Sequence, residues 1–335
     1  MSIIHRLFVV VVLLGIAACS HPKEDSYASM PDELAQLYRA IAKDPQDAAL
    51  YLDMSRAYLR LGQPDSALNY ALVSVGIDST NANAYITVSD VYFAMGNFDA
   101  AQEMLERVIA IDAKNNEAYL KLGELRFLLQ EYDLSEEILL KAIQQETHNP
   151  KAYHILAWNY RERGDTLKAI RNYLVAAEQD PDYFDAYMEL GVLYHHRHNP
   201  LALNYYNNAL NLQPDNIQAL YNMAMFYQET GEYEKALDKY RMILQKDQNH
   251  RNTLHNMGWI YLMGQDKFEE AVVFFSKAIT VDTTYLEAIY NRGLSFEALG
   301  KYDNARQDYM YSLQLNDNYP LAIEGLNRLD KLQRK

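Results

Sequence analysis

Small, large and polar side chains recur along this chain with a period of 34 residues. Units open at Ala48, Ala82, Asn116, Pro150, Phe184, Ile217, Arg251 and Leu286, and the last closes at Tyr319. Six units have 34 residues; the one from Phe184 is one shorter, around His198-Asn199-Pro200, and the one from Arg251 is one longer, between Gly264 and Phe268. Both changes are expected in a polar turn between two helices, where a change of length costs little.

The eighth residue of each unit is small: Ser55, Ser89, Gly123, Ala157, Gly191, Ala224, Gly258 and Gly293. Three residues later stand Tyr58, Tyr92, Arg126, Tyr160, Tyr194, Tyr227, Tyr261 and Phe296, aromatic in seven units. Residues three apart share a helical face, so the small one admits a neighbouring helix and the large one fills the space beside it. A second helix repeats the device, with Ala67, Ala101, Ser135, Ala169, Ala202, Ala236, Ala271 and Ala305 as its small set. Leu105, Leu139, Tyr173, Tyr206, Tyr240, Phe275 and Tyr309 supply bulk four residues on. Asp180-Pro181 and Gln213-Pro214 end helices.

With Tyr187, Leu190 and Gly191 at the fourth, seventh and eighth places, Tyr194 behind them, and Ala209 and Pro214 in the second half, the unit resembles a tetratricopeptide repeat. The resemblance implies an all-α solenoid, a right-handed superhelix of helix-turn-helix repeats whose inner surface holds peptides. Eight repeats are expected, at 48–81, 82–115, 116–149, 150–183, 184–216, 217–250, 251–285 and 286–319. Arg126, with Phe127 beside it, and Arg292 depart from the pattern. Residues 31–47 read as an N-terminal capping helix, and 320–335 as a closing helix with Ile323, Leu326, Leu329 and Leu332 on one face.

Ahead of the repeats, Arg6 precedes an apolar run from Leu7 to Ile16, too short to span a bilayer but suited to a secretory signal over 1–18. Ile16-Ala17-Ala18-Cys19 resembles the lipobox of bacterial lipoproteins, which implies acylation (palmitate-type) of Cys19, the sole cysteine, and anchoring to a membrane. Residues 19–30 are polar and aperiodic and are expected to be a tether. Lys23-Glu24-Asp25 resembles the signal that sends some Gram-negative lipoproteins to the cell exterior, against a default outer-membrane, periplasm-facing location. The formal net charge is −14, which disfavours nucleic acid and anionic lipid headgroups as partners.

Catalytic signatures are missing: there is no Gly-rich phosphate loop, no His-Glu-x-x-His and no Gly-x-Ser-x-Gly. The expectation is a non-enzymatic scaffold with no cofactor, binding a protein or peptide. A metal-binding or enzymatic lipoprotein using His195-His196-Arg197-His198 is the alternative; adjacent helical residues point about 100° apart, which argues against a shared metal. If places four, eight and eleven of the first helix face the stack, places two, five, six, nine, twelve and thirteen line the inner face. Large residues gather there: Trp158, Trp259, Tyr221, His255, Tyr290, Met188 and Met225, with both tryptophans among them. Asn222, Asn256 and Asn291 hold place six in the last three units, and an amide there matches the backbone of an extended peptide.

Overall fold

The structure is a computed structural model and describes residues 31–333. Cys19, the 1–18 signal, the 19–30 tether and Lys23-Glu24-Asp25 lie outside the described residues. The described chain is all-helical. After α1 (Asp32–Lys43), helix pairs follow in order: α2 (Ala48–Arg60) and α3 (Pro64–Ile77), α4 (Ala82–Ala94) and α5 (Phe98–Ile111), α6 (Asn116–Leu128) and α7 (Tyr132–Gln145), α8 (Pro150–Glu162) and α9 (Thr166–Gln179). Then come α10 (Phe184–His196) and α11 (Leu201–Leu212), α12 (Ile217–Glu229) and α13 (Tyr233–Lys246), α14 (Arg251–Trp259) and α15 (Phe268–Val281), α16 (Leu286–Ala298) and α17 (Tyr302–Leu315), and finally α18 (Pro320–Gln333). Two compact units divide between Gln179 and Asp180. Within each, a helix packs on the one before it and the one after it.

Each first helix starts at the residue that opens a sequence unit. In most pairs the residue before it supplies a cap. Asp47, Asn81, Asn115, Asn149 and Asn216 cap the following helix by accepting its free N–H groups, as at Asp47 from Ala49 at 2.9 Å and Asn115 from Ala118 at 3.0 Å. The turn inside each pair is equally regular. A turn N–H returns to the carbonyl of the eleventh residue, from Gln63 to Tyr58, Asn97 to Tyr92, Glu131 to Arg126, and so on to Lys301 to Phe296, at 2.8–3.0 Å; it comes from the residue just before the second helix except at Asn199, which Pro200 follows. One left-handed residue makes each such turn possible: Gly62, Gly96, Gly164, Gly231 and Gly300 in five pairs, and Gln130, His198 and Asp266 in three.

The small eighth residue and the bulk of the second helix prove to be partners. A Cβ on Gly191 would stand 2.4 Å from the Tyr206 ring, and one on Gly123 would stand 2.7 Å from Leu139. Tyr173, Tyr206, Tyr240, Phe275 and Tyr309 are each fully buried, and Tyr206, Phe275 and Tyr309 lie against Gly191, Gly258 and Gly293 of their own pairs. Arg292, where the pattern has an apolar residue, forms a two-pronged pair with buried Asp308, at 2.9 Å and 2.6 Å, and so keeps its charge compensated inside. Arg126 pairs with Glu131.

One expectation changes. The extra residue of the pair from Arg251 does not sit in the polar turn alone: the first helix widens into a π turn over Ile260–Gly264, and Lys267 reaches back to Tyr261. The missing residue of the pair from Phe184 shortens α11 to 12 residues.

Candidate functional site

The inner-face places divide into two kinds once their surroundings are resolved. Place five is a packing position. Where it holds a ring, that ring leans between the bulk of its own second helix and the residue just before the next helix: His255 lies 5.6 Å from Phe275 and 5.1 Å from Tyr285, and Tyr290 lies 5.6 Å from Tyr309 and 5.8 Å from Tyr319. Tyr221 does the same with Tyr240 at 6.0 Å and His250 at 5.7 Å. Leu52, Ile86, His154 and Tyr290 are buried outright, so the expectation that place five lines an open groove does not hold for them.

Trp158 and Trp259 are half-buried. Trp158 stacks on Phe127 at 5.5 Å and meets the edge of His154 at 4.5 Å, and its Nε1 is buried with no hydrogen-bond partner among the described residues. Burial holds the His154 imidazole at a pKa of about 4, with Arg161 and Lys151 adding to the effect. Trp259 meets the edge of Tyr233 at 6.5 Å. Met188 packs, half-buried, against the apolar cluster around Tyr206 and Met223.

The asparagine row forms a relay from repeat to repeat. The Asn256 amide donates to the phenol oxygens of Tyr221 and Tyr240, both at 3.0 Å, and lies 3.1 Å from the Met225 sulfur. Tyr240 in turn donates to Gln228 at 2.9 Å. Asn291 Nδ2 lies 3.2 Å from His255 Nε2, and His255 Nδ1 lies 3.2 Å from Asn256 Oδ1. A single imidazole tautomer, with its proton on Nδ1, satisfies both contacts, accepting from Asn291 and donating to Asn256. Burial favours that neutral ring by pushing the His255 pKa down. The amide donors of Asn256 and Asn291 thus serve the junction between neighbouring repeats. Asn222, at the start of the row, accepts from Gln218 at 2.7 Å.

Asn222 and Met225 come together elsewhere, in a cavity of about 470 Å³ in the second unit. Val192, His195, His196, His198 and Tyr206 contribute one side, and Asn222, Met225 and Glu229 the other. Val192, His195, His196, Asn222, Met225 and Glu229 hold inner-face places of α10 and α12, Tyr206 comes from α11 and His198 from the turn, so the histidine cluster forms part of the groove. His195 is held from both ring nitrogens, with Tyr206 Oη 3.3 Å from Nδ1 and Glu229 Oε2 3.0 Å from Nε2. Its ring also meets the edge of Phe226 at 5.2 Å. The Tyr206 phenol stays protonated, because burial opposes its ionisation and the Glu229 and Glu189 carboxylates reinforce that. His198 forms the left-handed turn residue of its pair. Among the described residues no group of three His, Cys, Asp or Glu is placed to hold a metal ion, and no helix is long and apolar enough to cross a membrane.

The chain resembles known proteins at three levels. It is 18% identical to the C-terminal part of a TPR repeat-containing protein from Cytophaga hutchinsonii, with a TM-score of 0.63 over 71% of this chain and 98% of that one, a likeness of fold. It is 32% identical over 152 residues to the type IV pilus assembly protein PilF of Pseudomonas aeruginosa, covering 44% of this chain and 60% of that protein. It is 26% identical over 153 residues to a DnaJ homolog subfamily C member 7 homolog of Schizosaccharomyces pombe, covering 41% of this chain and 32% of that protein. The chain spans less than two thirds of the length of these two curated relatives. Sequence profiles described as tetratricopeptide repeat match residues 92–158, 215–284 and 286–319, and one described as TPR repeat matches 159–196. Together these matches cover more than half of a chain whose helices repeat in pairs throughout, and the chain belongs to the tetratricopeptide repeat family.

Proposed function

We propose that this protein is a membrane-anchored scaffold of the bacterial cell envelope, which holds peptide segments or partner proteins on the inner face of its repeats. The observation that carries the reading is the cavity between α10 and α12. Inner-face places of two neighbouring repeats form it, with Val192 and Met225 as apolar walls and Asn222, His196 and Glu229 as polar groups around them, the mixture by which a concave site fixes a ligand and its orientation. The lipobox-like Ile16-Ala17-Ala18-Cys19 supports anchoring, and the likeness to a pilus assembly protein supports a role in bringing envelope components together. The location proposed is the outer membrane, facing the periplasm, or the exterior if Lys23-Glu24-Asp25 acts as an export signal.

The test joins capture with fractionation. The full chain is cross-linked in its native envelope and compared with an Asn222→Ala/Met225→Ala variant of unchanged melting temperature. Partners should be captured by the parent and lost from the variant, whereas an unchanged set of partners overturns the groove reading. Cys19→Ser should move the protein to the soluble fraction; persistent membrane attachment overturns the anchor.

A further inference from the structure

Charge is distributed differently over the inner faces of the two units. In the first unit, places two, five, six, nine, twelve and thirteen carry bases and acids that neutralise one another: Arg56 to Asp53 at 3.5 Å, Lys121 to Asp90 at 2.7 Å, Lys151 to Glu124 at 3.3 Å and Arg161 to Glu162 at 3.1 Å. In the second unit the same places carry Asp185, Glu189, Glu229, Glu287 and Glu297, and no Lys or Arg. Arg328 of α18 neutralises Glu297 at 2.9 Å. Of these acids, Glu229 lines the 470 Å³ cavity.

We infer that this cavity receives a lysine or arginine side chain of the bound segment, with Glu229 as its counter-ion. The inference rests on the peptide-groove reading and adds the chemistry of the ligand. Val192 and Met225 flank the alkyl stem of such a side chain, the apolar environment that long cationic residues prefer along their length. His195, itself fixed by Tyr206, donates to one Glu229 oxygen and so orients the carboxylate, which retains acceptor positions for an ammonium or guanidinium. Glu189 acts through its charge on the same Tyr206 phenol. An anionic side chain would meet the Glu229 carboxylate, the one acid among the lining residues. The segment recognised is therefore a basic one.

The probes are fluorescein-labelled Gly-Ser-Ala-Xaa-Ala-Ser-Gly peptides with lysine, arginine, norleucine or glutamate at Xaa, titrated by anisotropy against the full chain at pH 7.5. Lysine and arginine peptides should bind about tenfold more tightly than norleucine, which corresponds to one charge-assisted contact, and glutamate should bind worst. The preference should shrink with added salt, a readout that needs no variant. Glu229→Gln should abolish the preference with melting unchanged, and Glu189→Gln should weaken it. Equal binding of all four peptides overturns the cationic pocket and leaves the groove reading standing. Absence of binding by every peptide overturns both.

Discussion

His154 sets burial directly against charge. It stands 3% exposed between Trp158 and Tyr173, and its pKa of about 4 lies below the value of about 6.5 that the unfolded chain presents. Above pH 6.5 the ring is neutral in both states, and protonation takes nothing from stability. Between pH 6.5 and about 4 only the unfolded chain takes up the proton, so stability falls as pH falls, by up to about 3 kcal/mol over the window. His255, displaced in the same direction, adds to the loss. Chemical denaturation of the parent and of His154→Phe at pH 7 and pH 4.5 should show a markedly smaller loss in the variant, and parallel losses would mean that other groups govern the acid limb. Asn222, Asn256 and Asn291 were legible from sequence as a row, but their contacts were not. Tyr221 and His255 come opposite the amides of the next repeat only after stacking, a relation between residues 35 and 36 apart that no single helix displays.

At the scale of the element, α18 closes the second unit through shape and charge together. Tyr309 is clamped between Gly293 and Gly325, where added Cβ atoms would approach its ring to 2.8 Å and 2.6 Å, and Leu329 is 1% exposed beside it. Arg306 pairs with Asp330 at 2.7 Å, while Arg328 reaches Glu297. Deleting 320–335 should expose the Tyr309 face and leave Glu297 uncompensated, so melting should fall and hydrogen exchange should open α16 and α17 first. Opening that begins around Leu52 would contradict a closing role; should the truncated chain precipitate, Gly325→Leu gives a milder version of the same test. The helix starts could be read in advance from the 34-residue period, and the closing helix from its apolar stripe. The π turn could not, because nothing in Ile260-Tyr261-Leu262-Met263-Gly264 marks which side of the turn absorbs an added residue. The Arg292–Asp308 pair was equally hidden, since each residue looks misplaced until two helices meet.

For the whole molecule, pairs packed only on their neighbours imply that damage stays local. Leu105→Ala removes a core side chain that is 2% exposed, at a cost of about 2–5 kcal/mol. Hydrogen exchange should accelerate in α4 to α6, and protection in α16 and α17 should be retained. Uniform acceleration from end to end would instead mean that the chain unfolds as one cooperative body. A period of 34 residues could be read from sequence with ease, because its cause repeats eight times; the difference in charge between the two inner faces could be read only once pairing was known.

The same closure of each turn onto the eleventh carbonyl bears on how such a chain changes length over generations. The pair from Arg251 carries one residue more than its neighbours and still brings Lys267 back to Tyr261, at 2.8 Å. The backbone closes on a carbonyl, not on a fixed number of residues, and the surplus widens the helix before the turn. A duplication or insertion that keeps this acceptor keeps the register of everything after it. Repeats of this kind behave as links of adjustable length, and a gene encoding them can gain or lose single codons at that point without disturbing the faces on which neighbours depend.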